Sequence, residues 1–125
     1  INVSNLLGKG AFGDVYSSVK LSTSQPFAVK IIAKSNLAIG RSMEFFQREL
    51  EILQRIKKRI NIINLESIIQ SENNYYLFFE MCNGGTLSNC LIKYNNLYNR
   101  PFPEYIVQFI IKQLCDALFY LHSNK

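Results

Sequence analysis

Bare main chain, one ammonium group and one carboxylate, spread over about forty positions, could together hold a phosphate-bearing ligand. The main chain comes first. Leu7-Gly8-Lys9-Gly10-Ala11-Phe12-Gly13-Asp14-Val15-Tyr16 carries three glycines in ten positions. Glycine costs folding entropy wherever it sits, so its repeated use implies that something comes close to the backbone. Gly8, Gly10 and Gly13 form G-x-G-x-x-G. A dinucleotide loop of that spacing must run from a strand into a helix, with an acid about 20 residues later. Here β-branched Val15 and Val19 follow, and after Asp14 the next acid is Glu44. No G-K-[ST] closes the loop, so it is not a Walker loop. A strand–loop–strand hairpin remains. It is either a flexible turn or a loop whose N–H groups face phosphate oxygens.

The cation and the carboxylate bear on that choice. In Phe27-Ala28-Val29-Lys30-Ile31-Ile32, Lys30 is the only charge. Period-two alternation puts Ala28, Lys30 and Ile32 on one face, which leaves room for a flat ligand beside a cation. A lone Lys in a strand also suits an edge or solvent-facing position. Helical periodicity runs through residues 42–59. There Glu49 has Phe45, Ile52, Leu53 and Ile56 as its helical neighbours, while Arg48 and Glu51 lie off that stripe. A carboxylate on an apolar stripe is costly unless a cation meets it. Lys30 is the obvious partner; the alternative is that Glu49 reaches water at the stripe's margin. Each oddity accounts for the other, so the pair Lys30–Glu49 is expected.

The elements that must position these groups follow from pattern. Residues 14–20 and 27–33 read as strands, separated by the turn cluster Ser22-Thr23-Ser24-Gln25-Pro26. After the helix at 42–59, residues 62–69 and 75–80 read as two more strands around Ser71-Glu72-Asn73-Asn74. Gly84-Gly85 breaks the chain. Leu87, Cys90, Leu91 and Tyr94 then share one face of a short helix. Arg100-Pro101-Phe102-Pro103 leads to a last helix at 104–122, with the stripe Val107, Ile110, Ile111, Leu114, Leu118 and Leu121. That stripe is expected to be core, as are Phe45 and Phe46. A strand-rich half followed by a helical segment is α+β, not alternating α/β.

Bulk properties exclude several classes. The 125 residues make one small domain or a piece of a larger one, and an apolar share of 48% suffices for a core. A net charge of +5 suits a phosphate-bearing ligand. The charge is dispersed and the aromatics sit within apolar segments, so no nucleic acid is expected as a partner. Lys57-Lys58-Arg59 reads as a solvated helix end. Cys82, Cys90 and Cys115 have no metal-ligand spacing, and a sparse, odd count points to inert reduced thiols and a cytoplasmic setting. His122 reads as a helix-end residue. Ile1-Asn2-Val3-Ser4-Asn5 lacks a secretory pattern, and no apolar stretch is long enough to span a bilayer. The chain starts without Met and stops just after a strong helix, so a fragment is expected.

From Leu7 to Lys125 these residues resemble the small lobe of a eukaryotic protein kinase and the start of its large lobe. Leu7 to Val15, with Lys9, Ala11, Phe12 and Asp14 inside it, resembles the glycine-rich loop that covers the ATP phosphates. Ala28-Val29-Lys30 resembles the V-A-I-K strand, whose lysine holds the α- and β-phosphates. Arg48-Glu49-Leu50-Glu51-Ile52-Leu53 resembles the helix whose glutamate orients that lysine. Asn61-Ile62-Ile63-Asn64-Leu65 is similar to H-P-N-I-V-x-L, with Arg59 and Ile60 where His and Pro are usual. Tyr76 to Leu87 resembles the fifth strand and hinge.

The resemblance implies roles residue by residue. Phe79 is the gatekeeper. The Glu80 carbonyl and the Cys82 backbone bond the adenine edge, and Leu7, Val15 and Ala28 sandwich its faces. Thr86 stands near where many relatives place an acid for the ribose. Tyr120-Leu121-His122-Ser123 is similar to the Y-L-H-S segment before the catalytic loop. The implied fold is a five-stranded antiparallel sheet with one long helix over 1–82, then the first large-lobe helices over 83–125. The implied function is ATP- and Mg²⁺-dependent transfer to a protein substrate, with a lean to Ser/Thr. The proton-accepting aspartate and the Mg²⁺ ligands belong to segments not among these residues, so the 125 residues alone are not expected to catalyse transfer. The apolar last helix is expected to make them poorly soluble. A pseudokinase, binding or scaffolding without chemistry, is the alternative; intact Gly8, Gly10, Gly13, Lys30 and Glu49 argue against it.

Overall fold

The computed structural model describes residues 2–56 and 58–124; Ile1, Lys57 and Lys125 lie outside the described residues, and with them part of the basic run at 57–59. Strand β1 (Asn2–Lys9) leads through the glycine loop into β2 (Asp14–Val19). The turn cluster then joins β2 to β3 (Pro26–Ala33). A short helix α1 (Lys34–Leu37) and a long helix α2 (Ser42–Arg55) follow. Strands β4 (Leu65–Gln70) and β5 (Asn74–Glu80) form the next hairpin. Helices α3 (Leu87–Tyr98) and α4 (Glu104–Ser123) end the described chain.

The five strands form one sheet in the order β1-β2-β3-β5-β4, with every pairing antiparallel. The β1–β2, β2–β3 and β4–β5 connections are hairpins, the simplest way to join neighbouring antiparallel strands, and the one longer connection runs from β3 through α1 and α2 to β4. Long α2 packs on the face of β3 and β5. Its apolar side closes a core of Ile32, Leu37, Phe46 and Leu77, with Leu50 and Leu53 packed against it. Contacts divide the chain into two units. One runs to Arg59 and resumes over Ile63–Met81; the other takes Ile60–Ile62 and the residues from Cys82 onward.

Several sequence expectations need correction. The helix expected over 42–59 stops at Arg55, and Ile56 is already extended with ψ 111°. Beyond Ile56, Lys58 and Arg59 offer no apolar face to hold another turn. Phe45 is not core: it is 53% exposed, while Phe46 is 2% exposed. One residue turns a helix by about 100°, so the buried face is centred on Phe46, Leu50 and Leu53. Ile52 also faces solvent. The strand expected from 62 begins at Leu65. The Asn64 N–H goes to the Glu80 side chain rather than to a strand carbonyl, which ends the regular ladder there. The α4 stripe is not core within this chain. Val107, Ile111, Leu114 and Leu118 are exposed, and Ile110 and Leu121 only half-buried.

Candidate functional site

β3 is the middle strand of the sheet, so Lys30 is not an edge residue. In register it faces Val15 on β2 and Leu77 on β5, and two residues earlier Ala28 faces Phe79. Cross-strand partners point to the same side. Val15, Ala28, Lys30, Leu77 and Phe79 therefore share the face that α2 covers. Only 14% of the Lys30 side chain is exposed.

Helix α2 brings Glu49 Oε1 to 3.5 Å from Lys30 Nζ. The expected ion pair forms, but Glu49 does not sit mid-stripe. It stands at the margin of the packed face and keeps 39% of its side chain exposed. At this distance and exposure the pair is a partly screened charge contact rather than a short buried bond.

The glycine loop lies on the lysine. The Gly10 N–H donates to the Gly13 carbonyl at 2.8 Å and closes the turn. A Cβ on Gly10 would stand 2.9 Å from that carbonyl and 3.3 Å from Lys30 Cε. A Cβ on Gly13 would collide with the main chain of Ile31, whereas one on Gly8 would meet nothing. Two of the three glycines thus answer to contacts within the protein itself. Phe12 sets its ring 5.8 Å from Lys30 Nζ and packs against the core. The ammonium is therefore bounded by Glu49, by the Phe12 ring and by Gly10. A cation under bare main chain fits a phosphate group. The Gly10 N–H is engaged in the turn bond to Gly13 and is not free for a phosphate oxygen in this arrangement.

The remaining expected residues separate. Leu7, Lys9 and Ala11 are exposed. Asp14 pairs with Ile31, so it points away from the Lys30 face. There it lines a cavity of about 350 Å³ with Tyr16, Asn36 and Asn74. Glu80 has a structural task as well: its Oε1 accepts the Asn64 N–H at 2.8 Å, and its own N–H donates to the Asn64 carbonyl at 3.1 Å. Cys82 is exposed and belongs to the second unit. Thr86, in the same unit, accepts the Asn89 N–H at 3.1 Å and so caps α3. Among the described residues no group of three or more His, Cys, Asp or Glu could hold a metal ion, and no helix is long and apolar enough to cross a membrane.

Two features escaped sequence reasoning. Phe12 read only as a loop position, although a large aromatic among glycines needs something to pack on. The Glu80–Asn64 clasp spans 16 residues and leaves no periodic trace.

Comparison with known proteins decides the family. A family model described as the protein kinase domain matches residues 1–125. This chain belongs to the protein kinase family. The probable serine/threonine-protein kinase fhkC of Dictyostelium discoideum is 32% identical over 95% of the chain and 19% of its own length. Calcium-dependent protein kinase 5 of Plasmodium falciparum is 36% identical over 94% of the chain and 19% of its own length. A solved structure of Rad53 1–466 in complex with AMP-PNP superposes with a TM-score of 0.80. It is 28% identical and is matched over 98% of this chain and 31% of that one. The five-stranded sheet with α2 is the kinase small-lobe fold. The kinase chain thus spans about a fifth of the length of these curated relatives.

Proposed function

We propose that these residues form the ATP-binding part of a protein kinase that transfers the γ-phosphate to Ser or Thr hydroxyls of a protein substrate. One observation carries the reading: Lys30 Nζ is held 3.5 Å from Glu49 Oε1, under the main chain of Gly10, in a chain matched throughout by the kinase family model. Phosphoryl transfer asks the protein for positioning and charge neutralisation more than for covalent chemistry. Lys30 would take the α- and β-phosphate charge, and Glu49 would keep its ammonium aimed. The loop over Gly8–Gly13 would give main-chain donors once Phe12 and Gly10 lift from Lys30. Leu7, Val15 and Ala28 would flank the adenine, with Phe79 bounding its pocket. Main-chain groups of Glu80 and Cys82 would meet its edge. Mg²⁺ would neutralise phosphate charge during transfer and would be held by ligands outside these 125 residues, where the proton-accepting aspartate would also lie.

The test pairs binding with transfer in the full-length protein. Lys30→Met is expected to weaken ATP binding by about tenfold or more and to abolish transfer. Glu49→Gln is expected to lower transfer more than binding, because it frees the ammonium without removing it. Phosphoamino-acid analysis of labelled substrate should yield phosphoserine or phosphothreonine. Phosphotyrosine alone, or ATP binding indifferent to Lys30→Met, would defeat the proposal.

A further inference from the structure

The sheet has a second face, which the nucleotide reading does not use. Helices α1 and α2 pack on the side of Ile32 and Leu77. Ser18, Phe27, Phe78 and Ser67 stand out of step with Ala28, Lys30 and Leu77 along their strands, so they point to the other side. The register there sets two serines beside two phenylalanines: Ser18 pairs with Phe27, and Ser67 with Phe78. Phe27 itself pairs with Glu80, which makes Phe27 and Phe78 diagonal neighbours. A serine does not fill the height that a ring reaches, and a hollow of about 380 Å³ opens over this row. Its bed is closed, with Ser18 1% and Phe78 6% exposed. The Ser18 hydroxyl donates to the Phe27 carbonyl at 3.3 Å and is satisfied within the sheet. Ile69 walls one side.

The rim is polar and differs between its ends. Lys20 and Gln25 stand at the β2–β3 turn, and Glu66 stands on β4. The turn is pinned, because the Lys20 N–H donates to the Gln25 carbonyl at 2.9 Å. The side chains are not. Among the described residues Lys20 enters no ion pair, and neither its ammonium nor the Gln25 amide makes a side-chain hydrogen bond. Glu66 is partly engaged: its Oε1 accepts the Asn64 Nδ2 at 2.7 Å. Three strand spacings, about 14 Å, separate β2 from β4, so Lys20 and Glu66 do not neutralise each other across the hollow. At that separation Glu66 scarcely opposes an anion held at Lys20. An apolar aromatic bed thus has an unpaired cation at one end and a hydrogen-bond acceptor at the other.

We propose that this hollow binds a small aromatic carboxylate, with its ring over Phe27 and Phe78, its carboxylate on Lys20 and Gln25, and a hydrogen-bond donor at its far end on Glu66. Sites for small molecules have this volume and this make-up, an apolar lining with a few placed polar groups. Contact with two rings favours an aromatic body over an aliphatic one. A charge-assisted bond to the open ammonium favours the acid over a neutral analogue. The hollow opens on the face away from Lys30, so its occupant does not compete with a nucleotide held at Lys30.

The probe is indole-3-propionate, whose ring carries an N–H apart from its carboxylate. It is titrated by calorimetry into the full-length protein, with excess AMP-PNP present to keep it out of the nucleotide site. Saturable binding is expected. Lys20→Glu should weaken it about tenfold or more by reversing the charge that holds the acid. Ser67→Phe, which fills the hollow with a ring, should abolish it. Both side chains are exposed, and an unchanged melting temperature would show that each variant is folded. The neutral indole-3-propanamide should bind about tenfold more weakly than the acid. Absence of saturable binding by indole-3-propionate, naphthalene-2-carboxylate and 4-hydroxyphenylacetate alike overturns the proposal. So does binding that Ser67→Phe leaves unchanged, or an amide that binds as well as the acid. An acetylated Glu-Phe dipeptide amide that displaces the probe and binds more tightly than every free acid would likewise overturn it, by assigning the hollow to a protein segment.

Discussion

The sheet unit and the helical unit spend similar apolar residues to different effect. In the first, Val29, Ile32, Leu37, Phe46, Leu77 and Phe78 are buried. In the second, neither α3 nor α4 buries a single residue. Tyr105, Phe109 and Phe119 on α4 are as open as many charged groups elsewhere. Apolar content alone does not make a core; partners at the right spacing do. The sheet supplies them, because α2 lays Phe46, Leu50 and Leu53 onto a face already closed by β3 and β5. Apolar surface left open in the way α4 leaves it drives association.

The largest expected contrast tests that difference directly. Phe46→Ala should destabilise the sheet unit by about 3–5 kcal/mol, the cost of an aromatic-sized cavity. Leu114→Ala on α4 should fall within about 0.5 kcal/mol, as exposed changes do. Urea unfolding of the 125-residue chain would measure both. Equal losses would break the comparison. A large loss for Leu114→Ala in the full-length protein alone would sharpen it, by showing that sequence outside these residues covers α4.

What could be read ahead of the structure follows the same division. Strand placement was legible because β-branched and aromatic runs alternate with turn formers such as Ser22 to Pro26 and Ser71 to Asn74. The Lys30–Glu49 pairing was legible because two charges stood in apolar surroundings with no other partner near. The rotation of α2 was not, since Phe45 and Phe46 are adjacent and hydrophobicity cannot choose between them. The sheet chooses, by offering space to Phe46 beside Tyr75, with ring centres 5.0 Å apart. Nor could local pattern show that Phe12 folds onto Lys30 or that Glu80 takes the Asn64 N–H. Both contacts join residues distant in sequence, and neither needs a periodic signal.

A middle-sized effect separates the glycines. Gly13→Ala should cost about 2–3 kcal/mol, because the added carbon meets the Ile31 main chain and backbone yields less easily than a side chain. Gly8→Ala meets open space, so stability should hold or rise by up to about 1 kcal/mol as the unfolded chain loses freedom. Thermal unfolding of the two variants reads the difference. If Gly8 serves close approach by a ligand, ATP binding should fall for Gly8→Ala while its melting temperature does not. A joint fall would mean that Gly8, too, answers to the fold.

The smallest effect belongs to the helical unit and tests how a helix without a core is held. Thr86 has an extended backbone with ψ 154°, and its hydroxyl accepts the Asn89 N–H at 3.1 Å, while its carbonyl takes the Cys90 N–H at 3.1 Å. No acidic side chain stands in the first turn of α3 to satisfy the other free N–H groups. Thr86→Ala should therefore cost about 1 kcal/mol, and Thr86→Ser almost nothing, since serine caps at least as well. In a cored unit that loss would spread over a cooperative transition. Here it should appear as faster amide exchange confined to the first turn of α3, with protection in β3 and β5 unchanged. Exchange rising equally in the sheet would mean that the two units unfold as one, and that α3 gains its order from the sheet rather than from its own cap.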